Sequence, residues 1–266
     1  METRDHKYLK IILNRLDTCK KYRPKFGTGR AVSLKDFQLM YDQDPFYSWF
    51  GLDNPVIYAA HKTAGGITSL YRQIGIGCEE IFRQVLQDEL GLSTEEVEWS
   101  YQITTPDDRT RTLSLDGRIA YEHIPNPEKS RRIEKWVQGF ASRLEVAPKI
   151  AQALDGAVFE VRQGYKSKDS KRQNADISNI TSAYARGYLP VFTVLSTQID
   201  SDIAARYRSN KCPVLIGSLA ESPFHSTYAF CEQVVGYDLA GFFERNSETL
   251  NQAIEEIIET LLEPEG

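Results

Sequence analysis

Residues 157–176 read AVFEVRQGYKSKDSKRQNAD, and this stretch decides the fold class. Its opening, 157–163, reads as a strand. Side chains two apart on a strand share a face, so Val158, Glu160 and Arg162 point one way and Phe159 and Val161 the other. A carboxylate inside an apolar strand is costly to bury unless it is paired or holds a metal, and Arg162 stands beside Glu160. From Arg162 to Arg172 five bases (Arg162, Lys166, Lys168, Lys171, Arg172) meet one acid, Asp169. The whole chain has 32 Lys and Arg against 37 Asp and Glu, a net charge of −5. The stretch is therefore a local electropositive patch beside a carboxylate. The plainest account is an ion pair on a strand followed by a solvated basic loop. Two features point further: the bases adjoin the carboxylate strand, and they mix with Tyr165, Ser167, Ser170, Gln173 and Asn174. That mixture suits phosphate oxygens and base edges.

Outward from this stretch, a helix over 173–186, a strand over 190–196, a helix over 200–208 and a short strand over 213–217 are expected. Strand alternating with helix is the pattern of crossover connections and partly parallel pairing. Upstream, Ile81, Phe82, Val85, Leu86 and Leu90 recur at helical spacing over 77–90, and Gly91 follows as a stop. Segments 98–104 and 111–121 alternate at period two around Pro106-Asp107-Asp108 and read as strands joined by a turn. Helices are expected over 8–16, 130–144, 148–154 and 247–262, a loop over 22–30, and a packed irregular segment around Trp49 over 42–55. With no repeat, low-complexity tract or Gly/Ser linker, the expectation is one integrated domain over 1–266. Its parts are an N-terminal helical and irregular section (1–60), a core (77–217) and a C-terminal helical section (218–266). The fold class is α/β, a mixed central β-sheet flanked by helices.

The stretch FEVRQGYKSKDSKRQNADI, followed by a helix and by LPVFTVLSTQ, resembles the core of type II restriction endonucleases of the PD-(D/E)xK nuclease superfamily. The segment TAGGITSLYRQIGIGCEEIFRQVLQ resembles the N-terminal part of a restriction-enzyme family. Together they cover roughly residues 60–240. The resemblance implies a restriction-endonuclease-like core, a bound Mg²⁺ and hydrolysis of phosphodiester bonds in double-stranded DNA. Glu160 matches the acid of the (D/E)xK half. Where the superfamily usually has Lys, this chain has Arg162, which is always charged and unfit as a general base near neutral pH. It can still hold a phosphate oxygen and stabilise transition-state charge. Either Arg162 takes the lysine's role or Lys166, further along the same face, reaches back.

For the earlier acid, Asp155 is nearest in sequence, but an extended strand would put it ~16 Å from Glu160. Asp116, in LSLDGRI, can face Glu160 from a neighbouring strand and is preferred, although Asp-Gly also signals a hairpin turn. A bend at Gly156 would bring Asp155 closer. A further acid from a helix before the core strands is Glu79 or Glu80, with Glu80 favoured; acids at a helix start also complement its dipole. The expected metal ligands are Asp116, Glu160 and Glu80. The expected DNA contacts are Lys166, Lys168, Lys171, Arg172, Gln173 and Asn174, the last two able to bond an adenine edge at two points.

Net acidity excludes nucleic-acid coating by bulk charge. His6, His61, His123 and His225 are scattered, with no zinc spacing. The Gly65-Gly66 and Gly75-x-Gly77 pairs lack the GxxxxGK[ST] context of a phosphate loop and read as turns. Lys62, Thr63, Ser69, Tyr71, Arg72 and Gln73 around them are further candidates for the DNA backbone. Cys19, Cys78, Cys212 and Cys231 form no CxxC pair and fit reduced thiols in a cytoplasmic protein. No apolar run approaches the ~18 residues of a membrane span, and the N-terminus lacks a signal-peptide cleavage site. The leading expectation is a Mg²⁺-dependent, site-specific endonuclease acting on both DNA strands as a twofold homodimer. The alternatives are a non-catalytic DNA-binding protein using the basic loop 162–172, and a structure-specific DNA nuclease on the same fold.

Overall fold

A computed structural model describes the chain except for residues 1–2, 105–107, 109, 166–169 and 264–266. The alternating segments after residue 98 form a hairpin, β1 (Trp99–Thr104) antiparallel to β2 (Thr110–Leu115), with Trp99 opposite Leu115. The alternation continues to Ala120, but the strand does not: it breaks at Asp116. The next strand, β3 (Gly117–Ala120), joins a different sheet with β4 (Gly156–Arg162), β5 (Tyr188–Val194) and β6 (Val214–Leu215). That sheet has the order β3-β4-β5-β6. β3 is antiparallel to β4, while β4–β5 and β5–β6 are parallel, so the sheet is mixed as expected.

β4 and β5 are almost wholly buried, as a strand covered on both faces must be. One face carries Phe159, whose ring meets Phe82, Trp136 and Phe230. These come from the helices Pro55–Leu90 and Pro127–Arg143 and from the helical turn Phe230–Val235. The other face carries Phe192, which packs with Tyr165, Ile180, Ile203, Tyr207 and Val214 beneath the helices Ser170–Tyr184 and Ser201–Ser209. Pro190 lies within β5, where no N–H is available for a ladder. The pairing to β6 begins only at Phe192, so that missing donor breaks no bond.

The chain is organised in two compact units: Cys78–Phe243, which holds both sheets, and Met1–Gly77 with Glu244–Gly266. The boundary falls inside the helix Pro55–Leu90, so the 77–90 helix expected from the sequence begins 22 residues earlier. Gly65 and Gly66, expected as turns, lie within that helix. A Cβ at Gly65 would sit 2.0 Å from the Tyr22 hydroxyl, and one at Gly66 2.4 Å from Leu261. Close approach of neighbouring elements explains these glycines, and it outweighs the roughly 1 kcal/mol that each costs within a helix. The helix Ser247–Leu262 has the expected bounds and packs on Arg4–Asp17.

Lys62 and Thr63, candidates for DNA contact, are engaged within the unit of Met1–Gly77 and Glu244–Gly266 instead. The buried Lys62 Nζ donates to the carbonyls of Thr260 (2.8 Å) and Glu263 (3.0 Å), and Thr63 Oγ1 donates to that of Leu261. A cation there satisfies the orphan carbonyls at the end of the last helix and meets its negative pole. Lys62→Met keeps the stem and deletes the charge. It is expected to lower stability by about 2 kcal/mol in urea unfolding; no change would mean that the cap contributes nothing. All four cysteines are buried and unbridged. Among the described residues no helix is long and apolar enough to cross a membrane.

Candidate active site

The break at Asp116 positions the site. Just before β3 begins, the Asp116 N–H donates to the Phe159 carbonyl of β4 at 2.8 Å. The next ladder position is filled by a side chain: the Val161 N–H donates to Asp116 Oδ2 at 2.8 Å. Asp116 thus replaces a backbone acceptor, and its carboxylate is fixed beside Glu160 on β4. Arg83, from the helix Pro55–Leu90, donates to the Asp116 carbonyl at 3.1 Å. Glu160 is buried and closes an ion pair with Arg162 on the same face of the strand. The Arg162 Nε is also buried and has no hydrogen-bond partner among the described residues.

Three carboxylates in this group have pKa values raised above the ordinary range. Burial pushes Glu160 up to about 8, and the like charges of Asp116, Asp176 and Glu79 add to it against the pull of Arg162. Glu79 is pushed up to about 7 by burial and by Asp116, opposed by Arg162 and Arg83. Asp116 is raised by burial, although the Val161 hydrogen bond, Arg162 and Arg83 favour its charged form. For Arg162, burial acts against the charge, and Glu160, Asp116, Asp176 and Glu79 more than offset it. Burial is the largest cause for all three, and at Glu160 and Glu79 the neighbouring negative charges add to it.

Asp176 forms a second layer. Its Oδ2 accepts from the hydroxyls of Tyr207 (2.7 Å) and Tyr165 (3.0 Å), and the two hydroxyl oxygens lie 3.2 Å apart. Asp176 and Glu160 line one internal cavity of about 10 Å³, with room for a single water at most.

Of the expected residues, Asp116, Glu160 and Arg162 come together. Asp155 does not: it is exposed at the opposite end of β4, where its backbone bonds Tyr121 and Gly187. Of the two helix acids, Glu79 shares the field of Asp116 and Arg162, while Glu80 enters as a like charge on Glu79. Glu79 and Arg83 are one helical turn apart, a spacing visible in the sequence that marks one face. Lys171 is exposed at the start of the helix Ser170–Tyr184. Lys166, Lys168 and the Arg172 side chain lie outside the described residues. Gln173 and Asn174 are neighbours, but Arg206 holds both amide oxygens, at 2.6 and 2.8 Å. Two-point pairing with adenine uses the same oxygen as an acceptor, so it would share that oxygen with Arg206.

Among the described residues no three His, Cys, Asp or Glu side chains group to hold a metal by themselves. Mg²⁺ does not require such a cage, because it keeps several waters and binds through one or two carboxylates plus substrate phosphate. Asp116 and Glu160, oxygen donors short of positive charge, fit that pattern. Comparison with protein-family models, with curated proteins and with solved structures finds no match to this chain.

Proposed function

We propose that this chain is a Mg²⁺-dependent endonuclease that hydrolyses double-stranded DNA at a short specific sequence, on a core like that of PD-(D/E)xK restriction endonucleases. The observation that carries the reading is the convergence of Asp116 and Glu160 from adjoining strands beside Arg162, with too little positive charge to balance the carboxylates. Asp116 and Glu160 would hold the metal, with Glu79 as a third acid nearby. Bound there, Mg²⁺ supplies a Lewis acid for the phosphate and lowers the pKa of water. Arg162 neutralises charge that grows on the phosphate oxygens, and its buried Nε–H is a donor that such an oxygen would satisfy. Arg83 steadies the Asp116 backbone, which keeps that carboxylate aimed. The exposed Lys171 at the helix start would meet the DNA backbone.

Plasmid DNA incubated with and without Mg²⁺ tests this reading. Discrete fragments that require Mg²⁺ support it, and intact plasmid at every Mg²⁺ concentration opposes it. One observation favours a second reading, non-catalytic DNA binding: the Glu160–Arg162 ion pair is closed. Binding without cutting would select it. In either reading, Lys171→Ala is expected to reduce the slope of log K against log salt by about one unit. An unchanged slope would remove Lys171 from the DNA surface.

A further inference from the structure

Residues 20–53 divide sharply by charge. Six bases and no acid occupy 20–35 (Lys20, Lys21, Arg23, Lys25, Arg30, Lys35), and four acids and no base occupy 36–53 (Asp36, Asp42, Asp44, Asp53). The two halves lie side by side. Phe26 of the basic loop packs on Tyr41, Tyr41 stacks on Tyr47, and Tyr47 meets Phe46, which meets Phe50. A groove of about 160 Å³ lined by Arg30, Asp36, Leu39 and Met40 joins the loop to the helix Leu34–Asp42.

The acidic half is also apolar and uncovered. Residues 42–55 are not a packed irregular segment: they contain the helix Pro45–Trp49, with no buried residue. Asp44 caps it through the N–H groups of Phe46 and Tyr47. Phe46, Trp49 and Phe50 stand at i, i+3 and i+4, on one helical face, and expose 58%, 81% and 68% of their surface. With Tyr47, Leu39 and Met40 they present roughly 700 Å² of apolar surface, taking ~150–250 Å² for a whole aromatic side chain. That exceeds the ~300–600 Å² patch of an ordinary monomer and approaches the ~800 Å² per partner of a standard interface.

We propose that this face pairs two copies of the chain about a twofold axis that runs along the boundary between the basic loop and the acidic half. Under a twofold axis the basic loop of each copy lies over the acidic half of the other, so charge complementarity is satisfied twice. A nucleic acid seated on the same face would set its phosphates against Asp42, Asp44 and Asp53, which argues for the second copy as occupant.

Sedimentation equilibrium of the full chain at low salt tests the proposal without any DNA. The wild type is expected to dimerise, and Trp49→Ser with Phe50→Ser to raise the dissociation constant by about 100-fold or more. Lys25→Glu with Arg30→Glu gives one chain, and Asp42→Lys with Asp53→Lys a second. Each is expected to be monomeric alone and to form a heterodimer when the two are mixed, an outcome that misfolding cannot imitate. A wild type that stays monomeric overturns the proposal, even where Lys25 and Arg30 prove to bind nucleic acid. A dimer that neither the serine nor the charge variants weaken overturns it too. Plasmid cleavage is a separate readout, so failure here is distinguishable from failure of the nuclease reading.

Discussion

Glu160→Gln is expected to cut the rate of Mg²⁺-dependent DNA cleavage by about 1000-fold or more, a loss of roughly 4 kcal/mol of transition-state stabilisation. The substitution keeps the side-chain volume inside a buried strand and deletes the charge that would hold the metal. Affinity for DNA in the absence of Mg²⁺ should survive, because Lys171 and the basic loop are untouched. Above pH 8, where Glu160 is charged, it should even rise, because Arg162 loses its ion-pair partner and faces phosphate with its charge less compensated. Single-turnover cleavage and filter binding on the same preparations separate the two effects. Cleavage near the wild-type rate would place the chemistry elsewhere.

Stability in the absence of divalent cations is expected to fall as pH rises from about 4.5 to 8. The sign follows from the carboxylates. Glu79 and Glu160 hold protons in the folded chain up to about 7 and about 8, against 4.5 as the ordinary value. Over that interval the native state binds more protons than the unfolded one, so each pH unit removes stability. Their contribution is complete below pH 4.5 and gone once pH passes through 8. A cation that replaces those protons reverses the trend. At pH 8.5, Mg²⁺ at 100 times its dissociation constant should raise Tm by ~5–10 °C, and at pH 5 by far less. Glu160→Gln should remove most of that gain. A Mg²⁺ response equal at both pH values would mean that the cation binds away from these carboxylates.

The parts of the fold legible in the sequence are those whose signal is local. The apolar runs of β4 and β5 sit near their expected places because a strand buried on both faces needs nothing but apolar residues. The stripe of Leu250, Ile254, Ile257 and Leu261 defines the last helix to its ends. What failed depends on distant partners. The alternation through 111–121 carries no mark of the switch at Asp116, whose side chain takes a backbone's place in the ladder of β4. Gly65 and Gly66 read as turns until Tyr22 and Leu261 are seen against them. Aromatic residues around Trp49 read as core, although nothing in their own unit covers them. At the candidate site, strand phase makes the Glu160–Arg162 pair legible, and Asp116 is chosen for its place on a neighbouring strand, not for the break at which it stands. The choice of Glu79 over Glu80 required the rotation of a helix that begins 24 residues earlier. Arg206, which occupies Gln173 and Asn174, and Tyr207, which holds Asp176, lie over thirty residues downstream of them.

The most direct measurement compares plasmid cleavage by the wild type, Asp116→Asn and Asp155→Asn, each at saturating Mg²⁺. Asn at 116 still offers an oxygen to the Val161 N–H, so the ladder and the fold persist while the charge is lost. The wild type and Asp155→Asn are expected to give the same discrete fragments at similar rates, and Asp116→Asn none. Equal cutting by Asp116→Asn, or a wild type that leaves the plasmid intact, would contradict the assignment of this carboxylate pair as a nuclease centre.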